Sequence, residues 1–396
     1  MYSPKFALVI SLVIFTAHSV QPFGGLGVIT KSHVQFFNGH EIQKTIPIHW
    51  ENINTIAKLD PETRHVYKNE KPNPPVDIKD LNDGISHEEN TKKQPTIAKK
   101  NSDVNWDHHN MVATYDPVEK QIYFSGQQMN QKNASIYRLK QTGNPEHPHL
   151  EIVVSEQNES VSGMTFNDHT NTLYWTSGNT IKHTKVVQPM IMYPSNGTVL
   201  MRLEESIPGE IQVDKCRGYL YYTNWLRSGL GRTSTIERTR LDGSHREILF
   251  NFEGLVLLAL TVDSADNRLY WAVLDPSKRR NAFSVESSDL DGGSRKMVIG
   301  ELDHLPRGIV LDGNLVYWFD TRSKSLWKTP KNGSEFPTKV IKFNDNNNLP
   351  TRIMTANSCS HNCAKVQKKQ HSKADEYIKS IVGHYPSETI SIVDLS

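Results

Sequence analysis

Four aspartates, Asp116, Asp214, Asp263 and Asp312, occupy matching places in a repeated pattern along a chain of 396 residues. Carboxylates that converge do chemistry as general acids and bases, or as oxygen ligands of a divalent cation. Beyond them the reactive inventory is thin. The sequence has no G-x-S-x-G, HExxH or CxxC motif. Its adjacent pair His108-His109 would point to opposite faces of a strand and so not share a metal. Three cysteines, Cys216, Cys359 and Cys363, are too few for a disulfide scaffold, and their pairing is open. A bond from Cys216 to the C-terminal pair would clamp the end of the chain to the fold.

The elements around the aspartates explain their recurrence. Five stretches align on Tyr123, Tyr174, Tyr221, Tyr270 and Tyr317, at spacings of 51, 47, 49 and 47 residues. In each, an apolar strand ends in an acidic residue seven positions before the tyrosine. Asn167 takes that place in the second unit, and Asp312 stands five before in the fifth. A second strand then carries an aromatic pair: Tyr174-Trp175, Tyr221-Tyr222, Tyr270-Trp271 or Tyr317-Trp318. Third strands lead into Asp242-Gly243 and Asp291-Gly292, which suit tight hairpins, and a fourth strand comes next. Repeated four-stranded units of this length predict a β-propeller, an all-β fold. Adjacent large aromatics then read as packing between blades, since both faces of an inner strand are buried. Aspartates at equivalent positions read as parts of strand-to-strand turns.

Composition sets the surroundings. A net charge of +2 gives no field that favours nucleic acid or anionic membrane. The opening MYSPKFALVISLVIFTAHS has one lysine, a short apolar run and an A-x-S ending, which predicts a secretory signal peptide over 1–19. The longest later apolar run, Leu255 to Val262, is strand-sized, so the mature protein is expected to be secreted without a membrane span. Sequons at Asn133, Asn158, Asn196 and Asn332 fit that compartment and mark exposed loops. The segment 61–105 is polar and Pro- and Lys-rich, and reads as a disordered insertion. Strands of a closing blade are expected within 20–60, over Val34–Leu59 in particular. The blades span 106–357, and a polar tail covers 358–396 with one short helix around 375–382.

The motifs LYWT, LYYTNW, LYWAV and VYWFD, with upstream VD and downstream LDG, resemble the LDL-receptor class B, or YWTD, repeat. Within that family the likeness is to the insect cueball type, through VDKCRGYLYYTN, STIERTRLDGSHR and RLYWAV. The resemblance implies a six-bladed propeller whose last blade is shared between the two chain ends, with Thr351–Ala356 as its innermost strand. It implies that an Asp three residues after the repeat tyrosine ties blades together. Only Asp320 keeps it; Ser177, Asn224 and Val273 stand in its place elsewhere, so some junctions should rest on apolar packing. NSCSHNC resembles the start of an EGF-like module without its further cysteines.

The resemblance further implies a non-catalytic binding module for an extracellular protein or glycan, an endoplasmic-reticulum chaperone as folding partner, and an association with germ-cell development. It implies no cofactor. Loops after two of the aromatic pairs bear Arg227, Arg232, Lys278, Arg279 and Arg280, a basic edge for an acidic protein or sulfated glycan. Two other expectations stand beside the binding module. One is a small-ligand carrier with an apolar, roomy channel mouth; the other is a calcium-dependent lactonase or esterase, whose channel acids would be the four aspartates.

Overall fold

The computed structural model describes residues 26–30, 32–38, 41–48, 58–59, 66–67, 106–107, 111–128, 134–140, 149–155, 159–186, 195–226, 233–278, 282–344, 349–355 and 363. Every multi-residue element among them is a β-strand. Six antiparallel sheets, each with four strands in ladder order, succeed one another around a central channel as a six-bladed propeller. Numbered around the ring, blade 1 pairs Arg352–Thr355 with Leu26–Ile29, then His33–Asn38, then Glu41–Pro47. Blades 2 to 6 begin with the inner strands Ala113–Asp116, Val161–Asn167, Ser206–Asp214, Val256–Asp263 and Pro306–Asp312. Trp106–Asp107 adds a short fifth piece to blade 2 by pairing the far end of Gln121–Gln128.

The closing blade therefore joins the two chain ends, but its N-terminal part is Leu26–Pro47 rather than Val34–Leu59. Lys58–Leu59 pairs instead with Val66–Tyr67 in a separate ladder. The rest of 61–105, the leader 1–19 and the tail helix around 375–382 lie outside the described residues. Leu26–Ile29 carries no aromatic pair, which is why periodicity passed over it. Gly27 faces blade 2 where the other blades place tyrosine. A Cβ there would lie 2.9 Å from the Met354 side chain, so methionine fills the space an aromatic fills elsewhere.

The aromatic pair has a simple logic. Successive strand residues point to opposite faces. The first aromatic of each pair enters the gap to the following blade, and the second enters the gap to the preceding one. Tyr123 of blade 2 thus meets Trp175 of blade 3. Tyr174 meets Tyr222, Tyr221 meets Trp271, and Tyr270 meets Trp318. Tyr317 packs on Leu26, Val28 and Phe37 of blade 1, and Phe124 closes the ring against Ile29 and Phe36. The core is thus six separate clusters, one per seam.

Asp320 marks where the chain arrives from the previous blade. Its Oδ1 accepts the backbone N–H of Leu305 at 2.8 Å and of Arg322 at 3.2 Å, and its Oδ2 accepts that of Ser323 at 3.0 Å. Leu305 belongs to the connector from blade 5. The carboxylate therefore clasps an incoming connector and an outgoing turn, not a strand of a neighbouring sheet. In blade 3 the Ser177 hydroxyl reaches the connector residue Glu159 at 3.4 Å. Blade 4 uses Asn224, whose amide donates to Ser206 and to the buried Glu237, both at 2.9 Å. Glu237 also accepts from Tyr222, Thr235 and Arg246. Val273 of blade 5 makes an apolar junction with Leu257, Leu260 and Trp271.

Burial pushes the Asp320 and Glu237 carboxyls up. Their hydrogen bonds, from Ser323 and Leu305 in one case and from Arg246, Asn224, Thr235 and Tyr222 in the other, outweigh it and hold both below the usual carboxylate range. Groups depressed on folding add stability above their unfolded pKa and lose it as pH falls through the folded value. Asp320→Ala is expected to lower stability by about 2 kcal/mol and to reduce secreted yield; an unchanged melt and yield would sink the clasp role. The melting temperature should fall as pH drops below about 4. Glu237→Gln should lower stability by about 3 kcal/mol and flatten that fall, read by thermal melts across a pH series.

Candidate functional site

The inner strands of blades 2 to 6 run from the connector face of the ring to the face where they turn into their second strands. On this turn face the channel opens as a recess of about 440 Å³, lined by residues of all six blades. The recurrent aspartates frame it through their turns. Asp116 Oδ1 accepts the N–H groups of Val118 and Glu119; Asn167 accepts that of His169; Asp214 accepts that of Cys216; Asp263 accepts that of Asp266. Side chains that mimic a backbone turn in this way are Asx turns. Burial holds Asp116 above the usual carboxylate range despite those bonds.

Further bonds to carboxylates of these turns come from the same blade and from across the seams. Arg217 and the Ser264 hydroxyl of blade 5 both donate to Asp214, at 3.0 and 2.9 Å. Lys331 of blade 6 pairs with Asp263 of blade 5. Lys215 of blade 4 pairs with Asp168 of blade 3 at 2.6 Å. Three of the four aspartates expected as channel acids, Asp116, Asp214 and Asp263, are thus held by backbone N–H groups, and the last two by neighbouring cations as well. Among the described residues no group of three or more His, Cys, Asp or Glu is placed to hold a metal ion.

Deeper in, Glu210 of blade 4 meets Arg352 of blade 1 across the channel. Arg352 donates through both terminal nitrogens, with Nη1 to Oε1 at 2.6 Å and Nη2 to Oε2. Both side chains are nearly buried. Burial alone would lower the Arg352 pKa; the facing carboxylate outweighs it and raises it. Blades 1 and 4 stand opposite in the ring, so this fork bars the channel and gives the recess a floor. Gly163 leaves room for the backbone that carries Glu210: a Cβ on Gly163 would lie 2.3 Å from the Gly209 carbonyl and 2.9 Å from the Glu210 Cα.

Two residues before each turn acid, one side chain per inner strand faces the lumen. Thr114, Thr165, Gln212 and Thr261 supply it in blades 2 to 5, and Val310 in blade 6. Sequence reading missed this belt, although a fixed offset from the recurrent aspartates would have found it. It also missed Glu210, Arg352 and Glu237, which no motif marks.

Other expected sites fall elsewhere. The tyrosines and tryptophans of the repeat are buried in the seams, away from any ligand surface. Cys216, in the blade 4 turn, is bonded to Cys363 with Cα atoms 5.0 Å apart; Cys359 lies outside the described residues. Asn196 and Asn332 are exposed, whereas Asn133 and Asn158 lie outside the described residues. So do Arg227, Arg232, Arg279 and Arg280 of the basic edge. Lys278 is exposed on the connector face and pairs with Glu301 at 2.7 Å, so its charge is partly neutralised.

No family model matches the chain. Protein cueball of Drosophila yakuba is 33% identical over 221 residues, covering 55% of this chain and 32% of that protein. Protein cueball of Drosophila ananassae is 30% identical over 232 residues, covering 58% and 34%. This chain thus matches about a third of the length of these relatives. A crystal structure of a nidogen/laminin complex is similar with a TM-score of 0.49 and 21% identity, over 63% of this chain and 85% of that one. No helix among the described residues is long and apolar enough to cross a membrane.

Removing one partner of the cross-channel pair leaves a buried charge unpaired. Arg352→Met is expected to cost about 3–5 kcal/mol, and Glu210→Met a similar amount, while the double substitution should recover much of the loss. A double-mutant cycle by denaturant melts checks it, and additive single costs would refute the pair.

Proposed function

We propose, from the premise that this chain carries a YWTD-type propeller of the cueball kind, that it is a secreted, non-catalytic binding module for an extracellular protein or glycan. The observation that carries this reading is the state of the channel. Its acids are held in turns and ion pairs, and its far end is barred by Glu210 and Arg352. What remains for a partner is a rigid turn face with a recess at its centre and pairs of opposite charge around its mouth. A scaffold of fixed strands presenting such a face suits recognition. The signal-like leader supports secretion, and the repeat resemblance supports a dedicated folding chaperone. A germ-cell role rests on the cueball likeness alone.

A second reading is favoured by the recess volume: a carrier of small ligands. About 440 Å³ lies within the range of small-molecule sites, roughly 300–1,000 Å³. The paired charges at the mouth argue against the apolar opening expected of such a carrier.

Asp266, whose side chain is 54% exposed, stands at the rim and touches the seam only through a 3.9 Å approach to Lys331. The secreted protein, immobilised and exposed to extracellular fluid of its source, is expected to retain a protein or glycoprotein partner. Asp266→Lys should weaken that retention by roughly tenfold without changing the melt. Retention of small molecules alone, or turnover of lactone or ester substrates, would overturn the reading.

A further inference from the structure

The walls of the recess are divided. At mid-strand, four consecutive blades offer Thr114, Thr165, Gln212 and Thr261; the other two offer Val310, Ile353 and Met354, beside the ion-paired Arg352 and Lys331. The Thr165 hydroxyl accepts the Val213 N–H at 3.3 Å. Among the described residues, the side chains of Thr114, Gln212 and Thr261 have no hydrogen-bond partner. Thr261 is 9% exposed and lines the recess, so its hydroxyl lies at the recess wall without a protein partner. Hydroxyls and amides that meet a cavity without a protein partner are free to bond a guest there.

Charge narrows the class of that partner. Lys215 is matched by Asp168, Lys331 by Asp263, and Arg352 by Glu210. A charged guest would have to separate one of these pairs, and breaking a buried pair is costly. A neutral guest meets donors and acceptors that are already fixed. It must also be amphipathic, with hydrogen-bonding groups along one side and C–H groups along the other. A pyranose has that division, between its hydroxyl edge and its ring face.

We propose that the recess binds a neutral sugar residue at the end of a glycan, with its hydroxyls on Gln212, Thr261 and Thr114 and its C–H face on Val310 and Ile353. This rests on the reading of the propeller as a binding module and names what its recess takes. The orientation is set by the wall: polar groups of blades 2 to 5 receive the hydroxyls, and blades 6 and 1 receive the apolar face. No bond is made or broken, and no metal is needed.

The full secreted chain is titrated by calorimetry with free glucose, galactose, mannose and N-acetylglucosamine. In a second arm it is passed over the same sugars as terminal residues of immobilised glycans. At least one sugar is expected to bind in the millimolar range when free and more tightly as a glycan terminus. Gln212→Met and Thr261→Val, which nearly keep the side-chain shape, should each weaken binding by about tenfold with the melt unchanged. If no sugar binds in either arm, or if both variants bind as well as the parent, the proposal fails. Binding of free sugar without preference for the glycan arm would overturn the glycan source. A partner retained in an Asp266-dependent manner without sugar binding would overturn this inference and leave the binding-module reading standing. If neither partner nor sugar is retained, both fall.

Discussion

Closure of the ring is the constraint on which everything else depends. A propeller has no shared core. Each seam buries its own cluster of side chains, so an opening at one seam exposes two faces at once. The seams beside blade 1 carry the greatest burden, because that blade is assembled from both ends of the chain. Three ties hold it. Arg352–Thr355 and Leu26–Ile29 pair as a ladder; Arg352 reaches across to Glu210; and Cys363 is bonded to Cys216 in the opposite blade. The disulfide spans 147 residues, and the chain-entropy account assigns a loop of that length about 5 kcal/mol. The ladder and the ion pair fasten the last strand itself to the rest of the ring. The covalent bond fastens the chain just beyond that strand.

The same economy appears where each blade receives the chain. The position three residues after the repeat tyrosine faces the start of the inner strand, and four blades use it differently. Asp320 accepts backbone N–H groups, Ser177 meets a connector carboxylate, Asn224 joins a network centred on Glu237, and Val273 packs against leucines. In blade 4 the carboxylate has moved from the second strand to the third. Glu237 is fully buried yet receives hydrogen bonds from four side chains, so the network is satisfied rather than merely enclosed. Absence of an aspartate at this position therefore does not mean absence of the clasp.

Much of this was legible in the chain. Aromatic pairs at a regular period fixed the number of complete units, and the recurrent acids fixed their turns. Leu26–Ile29 was invisible because Gly27 and Val28 stand where a large pair was sought, and the compensating methionine lies more than 300 residues further on. Glu210 and Arg352 were equally silent, since 142 residues separate them and only the ring brings them together. Asn224 could be read as a weakened Asp, but nothing local pointed to Glu237 as its partner. Local patterns reveal what repeats; a contact made once, between opposite or terminal blades, leaves no period to detect.

The function depends on the side chains that the repeat leaves over. Aromatic side chains that would make a ligand surface are spent in the seams, and carboxylates that would make a reactive centre are spent in turns and ion pairs. Repetition consumes these groups because every blade needs them in the same place. The lumen-facing belt is different: it changes from threonine and glutamine to valine around the ring, and among the described residues Thr114, Gln212 and Thr261 make no side-chain bond to a turn or seam. A position freed from structural duty is where the surface can be shaped for a guest. Under the binding-module reading, recognition belongs in the layer of the repeat where the blades differ and where polar side chains lack a protein partner.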